Sequence, residues 1–175
     1  MNAKIPALSL AALAALFLAG CLTREPEAMG NMNQKLDMSS FYMPNAQASQ
    51  VVTVTTNGPA RANVLIQTHA VSVKENASPE ALKRFGEVYS FSPSFFVVHR
   101  DEPTLIRFWN LQPDDNHDFM LIDPHSTVLM SQLLPPLKET SFVFTFHEEG
   151  LFTMICAMHQ PSMNCQILVL PPRTQ

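Results

Sequence analysis

The stretch Gly150-Leu-Phe-Thr-Met-Ile-Cys156-Ala-Met-His159-Gln-Pro-Ser-Met163 falls into two halves. In the first, Phe152, Met154 and Cys156 occupy alternate positions, so a β-strand turns all three to one face and carries the thiol inward at its end. The second half drops that alternation and places His159 and Met163 within seven residues of the cysteine, so one loop can present three ligands. An isolated histidine upstream, in Asn116-His117-Asp118-Phe119, completes the set from a neighbouring strand. One thiolate, two imidazoles and one thioether form the donor set of a mononuclear copper centre: a trigonal His2Cys plane with a weak, long axial Met. Soft sulfur suits Cu(I) and imidazole suits both oxidation states, so this set stays bonded through a one-electron cycle.

Outward from that stretch the chain reads as β structure. In Phe142-Val-Phe144-Thr-Phe146-His147 the aromatics alternate onto one face, and Glu148-Glu149-Gly150 makes a tight turn to the next strand. Val51-Val-Thr-Val-Thr-Thr56 and Ala62-Asn-Val-Leu-Ile-Gln-Thr68 have strand composition on either side of Asn57-Gly58-Pro59. Further strands are expected near 87–91, 95–99, 104–109, 117–122, 140–147, 151–156 and 165–170. Ser78-Pro-Glu-Ala-Leu-Lys-Arg-Phe85 reads as a short helix, with Ser at the N-cap and Pro in the first turn. Many short strands with turn signals between them argue an all-β sandwich or barrel, with that single helix ahead of the ligand region. No internal repeat is visible.

Residues 1–20 read as an export signal: Lys4 opens it and an Ala/Leu-rich stretch follows from Ile5 to Ala19, too short for an ordinary membrane-spanning helix. Its ending, Leu18-Ala19-Gly20-Cys21, resembles the bacterial lipobox, in which the cysteine is lipidated and becomes the new N-terminus. Acyl chains on Cys21 then hold an otherwise soluble domain to a membrane surface; an ordinary signal with an incidental cysteine is the alternative. Residues 21–50 are polar and aperiodic and read as a flexible tether, leaving 51–175 as one domain. The tether carries Met29, Met32, Met38 and Met43, which either gather Cu(I) as soft thioethers or reflect a chain with ten methionines. Without residues 1–20, ten basic residues face fifteen acidic ones, a formal charge of −5 that argues against nucleic acid as a partner. With Cys21 assigned to lipid, Cys156 and Cys165 remain in an oxidising compartment, and a disulfide between them is the alternative to metal ligation.

From about residue 86 to 171 the chain resembles the cupredoxins, the type 1 or blue copper proteins. The likeness runs in order through Tyr89-Ser-Phe-Ser-Pro93, Phe95-Phe-Val-Val98, Thr104-Leu-Ile-Arg-Phe-Trp-Asn110, the His117 strand, Thr140-Ser-Phe-Val-Phe144, Gly150 to Cys156 and Met163-Asn-Cys-Gln-Ile-Leu-Val169. The resemblance implies a Greek-key β-sandwich, with His117, Cys156 and His159 as equatorial ligands and Met163 axial. It also implies one copper per chain. Cys165 departs from the pattern, standing where the family usually has Gly. The dinuclear copper domains of related framework need two cysteines four residues apart in this loop, and with Phe at 152 and Gln at 160 Cys156 has no such partner.

The function this implies is transfer of single electrons between periplasmic redox partners, a cytochrome or a cuproenzyme, by a lipid-anchored protein on the periplasmic side of a bacterial membrane. No enzymatic activity and no small-molecule substrate are expected. The imidazole edge of His159, rimmed by Met158 and Pro161, is the expected docking and electron-exit face. The alternative is a copper carrier or storage protein that delivers Cu(I) to a cuproenzyme. Asn116 and Asp118 are either turn residues or supports that hydrogen-bond the ligand loop, and Cys165 lies close to the site. His69, His99, His125 and His147 lack a spacing that joins them to it and read as surface residues. Met120, Met154 and Met158 read as core or rim filling, with Met158 a rival for the axial position.

Overall fold

A computed structural model describes residues 41–174; the export signal, Cys21 and most of the tether lie outside them. Among the described residues, ten strands form two five-stranded sheets. The first sheet has the order β1 (Val52–Thr55), β8 (Glu139–Phe146), β5 (Thr104–Trp109), β2 (Ala62–Ser72), β3 (Val88–Ser92). The second runs β4 (Phe95–His99), β10 (Asn164–Leu170), β9 (Gly150–Ile155), β6 (His117–Ile122), β7 (Val128–Leu134). Pairing is antiparallel except for β2 with β5 and β4 with β10. Consecutive strands change sheet repeatedly, which makes this a Greek-key β-sandwich.

The alternation seen in the sequence sets the inner faces. Thr104, Ile106 and Phe108 of β5 turn inward while Arg107 and Trp109 turn out, and Phe152 and Met154 of β9 and Ile167 and Val169 of β10 do the same from the opposite sheet. Aromatic rings join the two layers. Phe108 of β5 stacks on Phe119 of β6 at 4.3 Å and 11°, and Phe146 of β8 meets Phe152 of β9 edge-on at 5.0 Å. Each buried ring contributes roughly 1.5–3 kcal/mol by leaving water, and paired rings add about 0.5–1.5 kcal/mol.

The expected helix forms as α1 (Pro79–Phe85), capped by the Ser78 hydroxyl, which accepts from the Ala81 amide, and closed by Gly86 at φ 72°. Two elements differ from expectation. Strand β7 was not anticipated: Leu129, Met130 and Ser131 are buried in succession and the register with β6 shifts between Leu121 and Ile122, so the period of two that marks a strand is broken. The Glu148–Gly150 turn exists, yet β8 and β9 belong to different sheets, so it carries the chain across the sandwich rather than closing a hairpin. Gly150 sits at φ 133°, and a Cβ there would approach Pro124 Cγ to 2.9 Å. Ordered backbone also starts before residue 51. Tyr42 bridges to Ser131 on the β7 edge, and Ala48–Gln50 forms a 3-10 turn begun by the Asn45 side chain.

Candidate metal centre

At one end of the sandwich β6 begins with His117, which pairs with Leu134 at the end of β7, and β9 delivers Cys156 just beyond its last residue. A 3-10 turn, Ala157–His159, swings the chain back over the core and places His159 above the thiol. The loop is closed by its own hydrogen bonds. The Cys156 amide donates to the Met163 carbonyl at 2.9 Å, the Met163 amide to the His159 carbonyl at 3.1 Å, and Gln160 Nε2 donates to both the Cys156 and Met163 carbonyls at 2.8 and 2.9 Å. Gln160 thus braces the loop from inside, a role its sequence position does not reveal.

Three donor atoms converge there. His117 Nδ1 and His159 Nδ1 are 3.0 Å apart, and Cys156 Sγ lies 3.9 Å from the first and 3.4 Å from the second. The circumradius of that triangle, the product of its edges over four times its area, is about 2.0 Å. A metal ion equidistant from the three atoms therefore sits at an ordinary metal–imidazole bond length, about 2.0–2.1 Å for zinc. Among the described residues these three form the cluster able to hold a metal ion. His117 and Cys156 are buried and His159 is half-buried.

The electrostatics suit a metal too. Burial, aided by the neighbouring His159, pushes the His117 imidazole down to about 4, against a smaller opposing pull from Asp115. Burial lowers His159 as well, opposed by Asp115 and Asp118. Both rings are thus neutral at pH 7, with a lone pair free for coordination. Burial and the adjacent Asp118 carboxylate push the Cys156 thiol up to about 12. Without a metal it stays protonated and donates to Asp118 Oδ1 at 3.2 Å; a cation binding there displaces that proton. Two polar atoms at the centre, His117 Nε2 and Asp118 Oδ2, are buried without a hydrogen-bond partner.

The other expected residues divide. Met163 is fully buried at the far end of the loop, tied by its backbone to Cys156 and His159. Asp118 reaches the loop, accepting from Cys156 and, at 3.4 Å, from the Met158 amide, whereas Asn116 is exposed. Cys165 is buried on the inner face of β10, its thiol directed at the Pro93 carbonyl 3.4 Å away. Both Cys156 and Cys165 are free, so the disulfide alternative does not hold. His125 pairs with Glu148, His147 with Asp101 and Thr53, and His99 with the Pro171 carbonyl, all apart from the centre. Sequence reading did not single out Tyr89, whose buried ring lies against both histidines, 5.0 Å from His117 and 4.5 Å from His159 between centroids.

No protein-family model and no curated protein sequence matches the chain. Solved structures do. A copper nitrite reductase from Nitrosomonas europaea superposes with a TM-score of 0.50 at 12% identity, over 66% of this chain and 51% of that one. A multicopper oxidase from Campylobacter jejuni also gives 0.50, at 11% identity, over 66% of this chain and 31% of that one. The chain has the cupredoxin fold. It spans about half of the reductase chain and a third of the oxidase chain, so the likeness concerns one domain of each. Reduced auracyanin from Roseiflexus castenholzii matches over its full length and 65% of this chain, at 12% identity and a TM-score of 0.46. Within this cupredoxin fold the His-Cys-His triangle occupies the strand ends and the loop that the sequence pattern pointed to.

Proposed function

We propose that the chain is a mononuclear copper electron carrier, lipid-anchored through Cys21 on the periplasmic side of a bacterial membrane. The observation that carries this reading is the convergence of His117 Nδ1, His159 Nδ1 and Cys156 Sγ on one point, with two neutral imidazoles and one ionisable thiol. Copper bound there supplies a one-electron couple, and thiolate with imidazole is the donor set that tolerates both its states. The chain's part is to hold the donors still. His117 is fixed by the β6–β7 ladder, Cys156 by the end of β9, and His159 by a loop whose carbonyls are tied to Gln160. Small rearrangement between oxidation states means a low barrier to electron transfer. Met163 is the axial thioether in this reading. The half-buried His159, between Met158 and the exposed Pro161, is the side on which a cytochrome or cuproenzyme docks.

Titration of the metal-free protein with copper is the test. The expected result is one equivalent bound, an intense thiolate-to-copper absorption in the visible, one proton released per copper at pH 7, and reversible voltammetry. Two coppers per chain with a mixed-valence paramagnetic signal would refute the mononuclear centre. Ready loss of copper to a weak chelator, together with irreversible electrochemistry, would transfer the function to copper delivery, in which the methionines of residues 21–50 gather Cu(I).

Anchoring is tested separately. In this proposal the acyl chains on Cys21 carry the attachment; among the described residues no helix is long and apolar enough to cross a membrane. Cys21→Ala is expected to leave the precursor unprocessed and free of fatty-acid label. Normal processing of the variant, with no lipid on the wild type, would eliminate the anchor.

A further inference from the structure

A metal-bound histidine ordinarily donates its second ring nitrogen to a carboxylate, carbonyl or water, and that bond fixes how the ring is turned. On the buried side no protein group reaches His117 Nε2, and both imidazoles make their protein hydrogen bonds through Nδ1. Packing against neighbouring rings is the contact the protein supplies to the ring planes.

The ring that does so is Tyr89, from β3 of the opposite sheet. It meets His117 edge-on at 68° and His159 at 54°, while the two imidazoles lie 4.7 Å apart at 59°. Each of the three rings thus touches the other two. A change in the tilt of either imidazole alters its packing against the phenol. Tyr89 is itself held at its far end, where its hydroxyl donates to Asp115 Oδ2 at 2.5 Å with Glu87 Oε2 3.4 Å away. Asp115 is placed in turn by Asn110, a buried side chain whose Nδ2 donates to the Asp115 carbonyl at 2.8 Å and to the Leu134 carbonyl at 2.9 Å. The chain of contacts runs from the end of β7, through the loop preceding His117, to the phenol and both imidazoles.

We infer that Tyr89, clamped by Asp115, is the positioning residue of the centre: a shared aromatic wall that orients the His117 and His159 rings. The inference rests on the metal-centre reading for its consequence and on the metal-free structure for its geometry. The expected effects separate the ring from the hydroxyl. Tyr89→Phe keeps the wall and removes the clamp, Asp115→Asn weakens the clamp alone, and Tyr89→Leu removes the wall.

In the metal-free protein, nuclear magnetic resonance of the imidazole protons reads the geometry directly. The wild type and Tyr89→Phe are expected to show one set of ring-current-shifted signals for His117 and His159. Tyr89→Leu is expected to lose that shift and show more than one ring orientation. With copper added, Tyr89→Leu should bind about tenfold to a hundredfold more weakly, the range seen when a ligand's support is removed, with an altered Cu(II) paramagnetic spectrum and a shifted reduction potential. Tyr89→Phe should largely restore all three, and Asp115→Asn, which keeps the ring and the hydroxyl, should fall between Tyr89→Phe and the wild type. A folded Tyr89→Leu protein with unchanged imidazole signals, spectrum and affinity would overturn the inference. Should that variant not fold, a wild-type spectrum, potential and affinity in Asp115→Asn, with Tyr89→Phe showing unshifted imidazole signals, would overturn it equally. If the wild type binds no copper, the proposed function fails, and the metal-free imidazole signals still decide whether Tyr89 orients the rings.

Discussion

Cys156→Ser abolishes the visible thiolate-to-copper absorption, while Cys165→Ser leaves it in place: this is the expected outcome of absorption spectroscopy on the two copper-loaded variants. The two thiols are alike in burial and both are pushed up to about 12 by desolvation, so neither reactivity nor exposure distinguishes them. Position does. Cys156 Sγ faces two imidazole nitrogens at 3.4 and 3.9 Å, whereas Cys165 Sγ faces the carbonyls of Pro93 and Gln166 at 3.4 and 3.8 Å. Two carbonyl oxygens beside one sulfur supply neither of the imidazoles that complete a His2Cys set. A serine at 156 offers a hydroxyl whose proton is far harder to remove and whose oxygen is a hard donor, so the sulfur-based charge transfer disappears with the atom. A serine at 165 keeps a donor for the Pro93 carbonyl at the cost of a little packing. Equal loss of the band in both variants would mean a shared dithiolate site and a rearranged loop.

That distinction was partly legible in the sequence. The alternation of Phe152, Met154 and Cys156 foretold a thiol projecting inward at a strand end, and the structure places it there. Cys165 also alternates inward, from Met163 through Ile167, and its place along the sheet follows from β10 running antiparallel to β9, with Cys165 opposite Met154. A period of two reports which face a residue occupies, and says nothing of how far along the sheet it lies. Strand β7 escaped notice for a related reason, because three successive buried residues carry no period at all. The same limit hid Tyr89 and Asp115. They are 26 positions apart, on a strand and a loop that meet only when the sandwich closes, and no spacing rule joins them. Asn116 and Asp118 show what flanking a ligand is worth as a signal: one reaches the thiol and the other faces solvent.

The largest loss of stability is expected from Phe119→Ala. Phe119 is fully buried two residues beyond His117; its ring stacks on Phe108 at 4.3 Å and lies 6.4 and 6.3 Å from Phe142 and Phe144 of β8, so one side chain fastens the ligand strand to the opposite sheet. Removing a buried phenyl forfeits its transfer free energy and leaves a cavity that stiff strands cannot fill, a cost of about 3–5 kcal/mol. Denaturant unfolding of the metal-free protein measures it, with Phe95→Ala as the control. Phe95 is 49% exposed on the outer face of β4, and its loss should cost less than about 1 kcal/mol. Copper adds a second reading. An ion that binds only the folded state adds stability by mass action, so excess copper should recover part of what Phe119→Ala loses while leaving the difference between the variants in place. A cost below about 1 kcal/mol for Phe119→Ala would show that the strand carrying His117 is held by its ladder alone and that the aromatic stack contributes nothing to the rigidity of the centre.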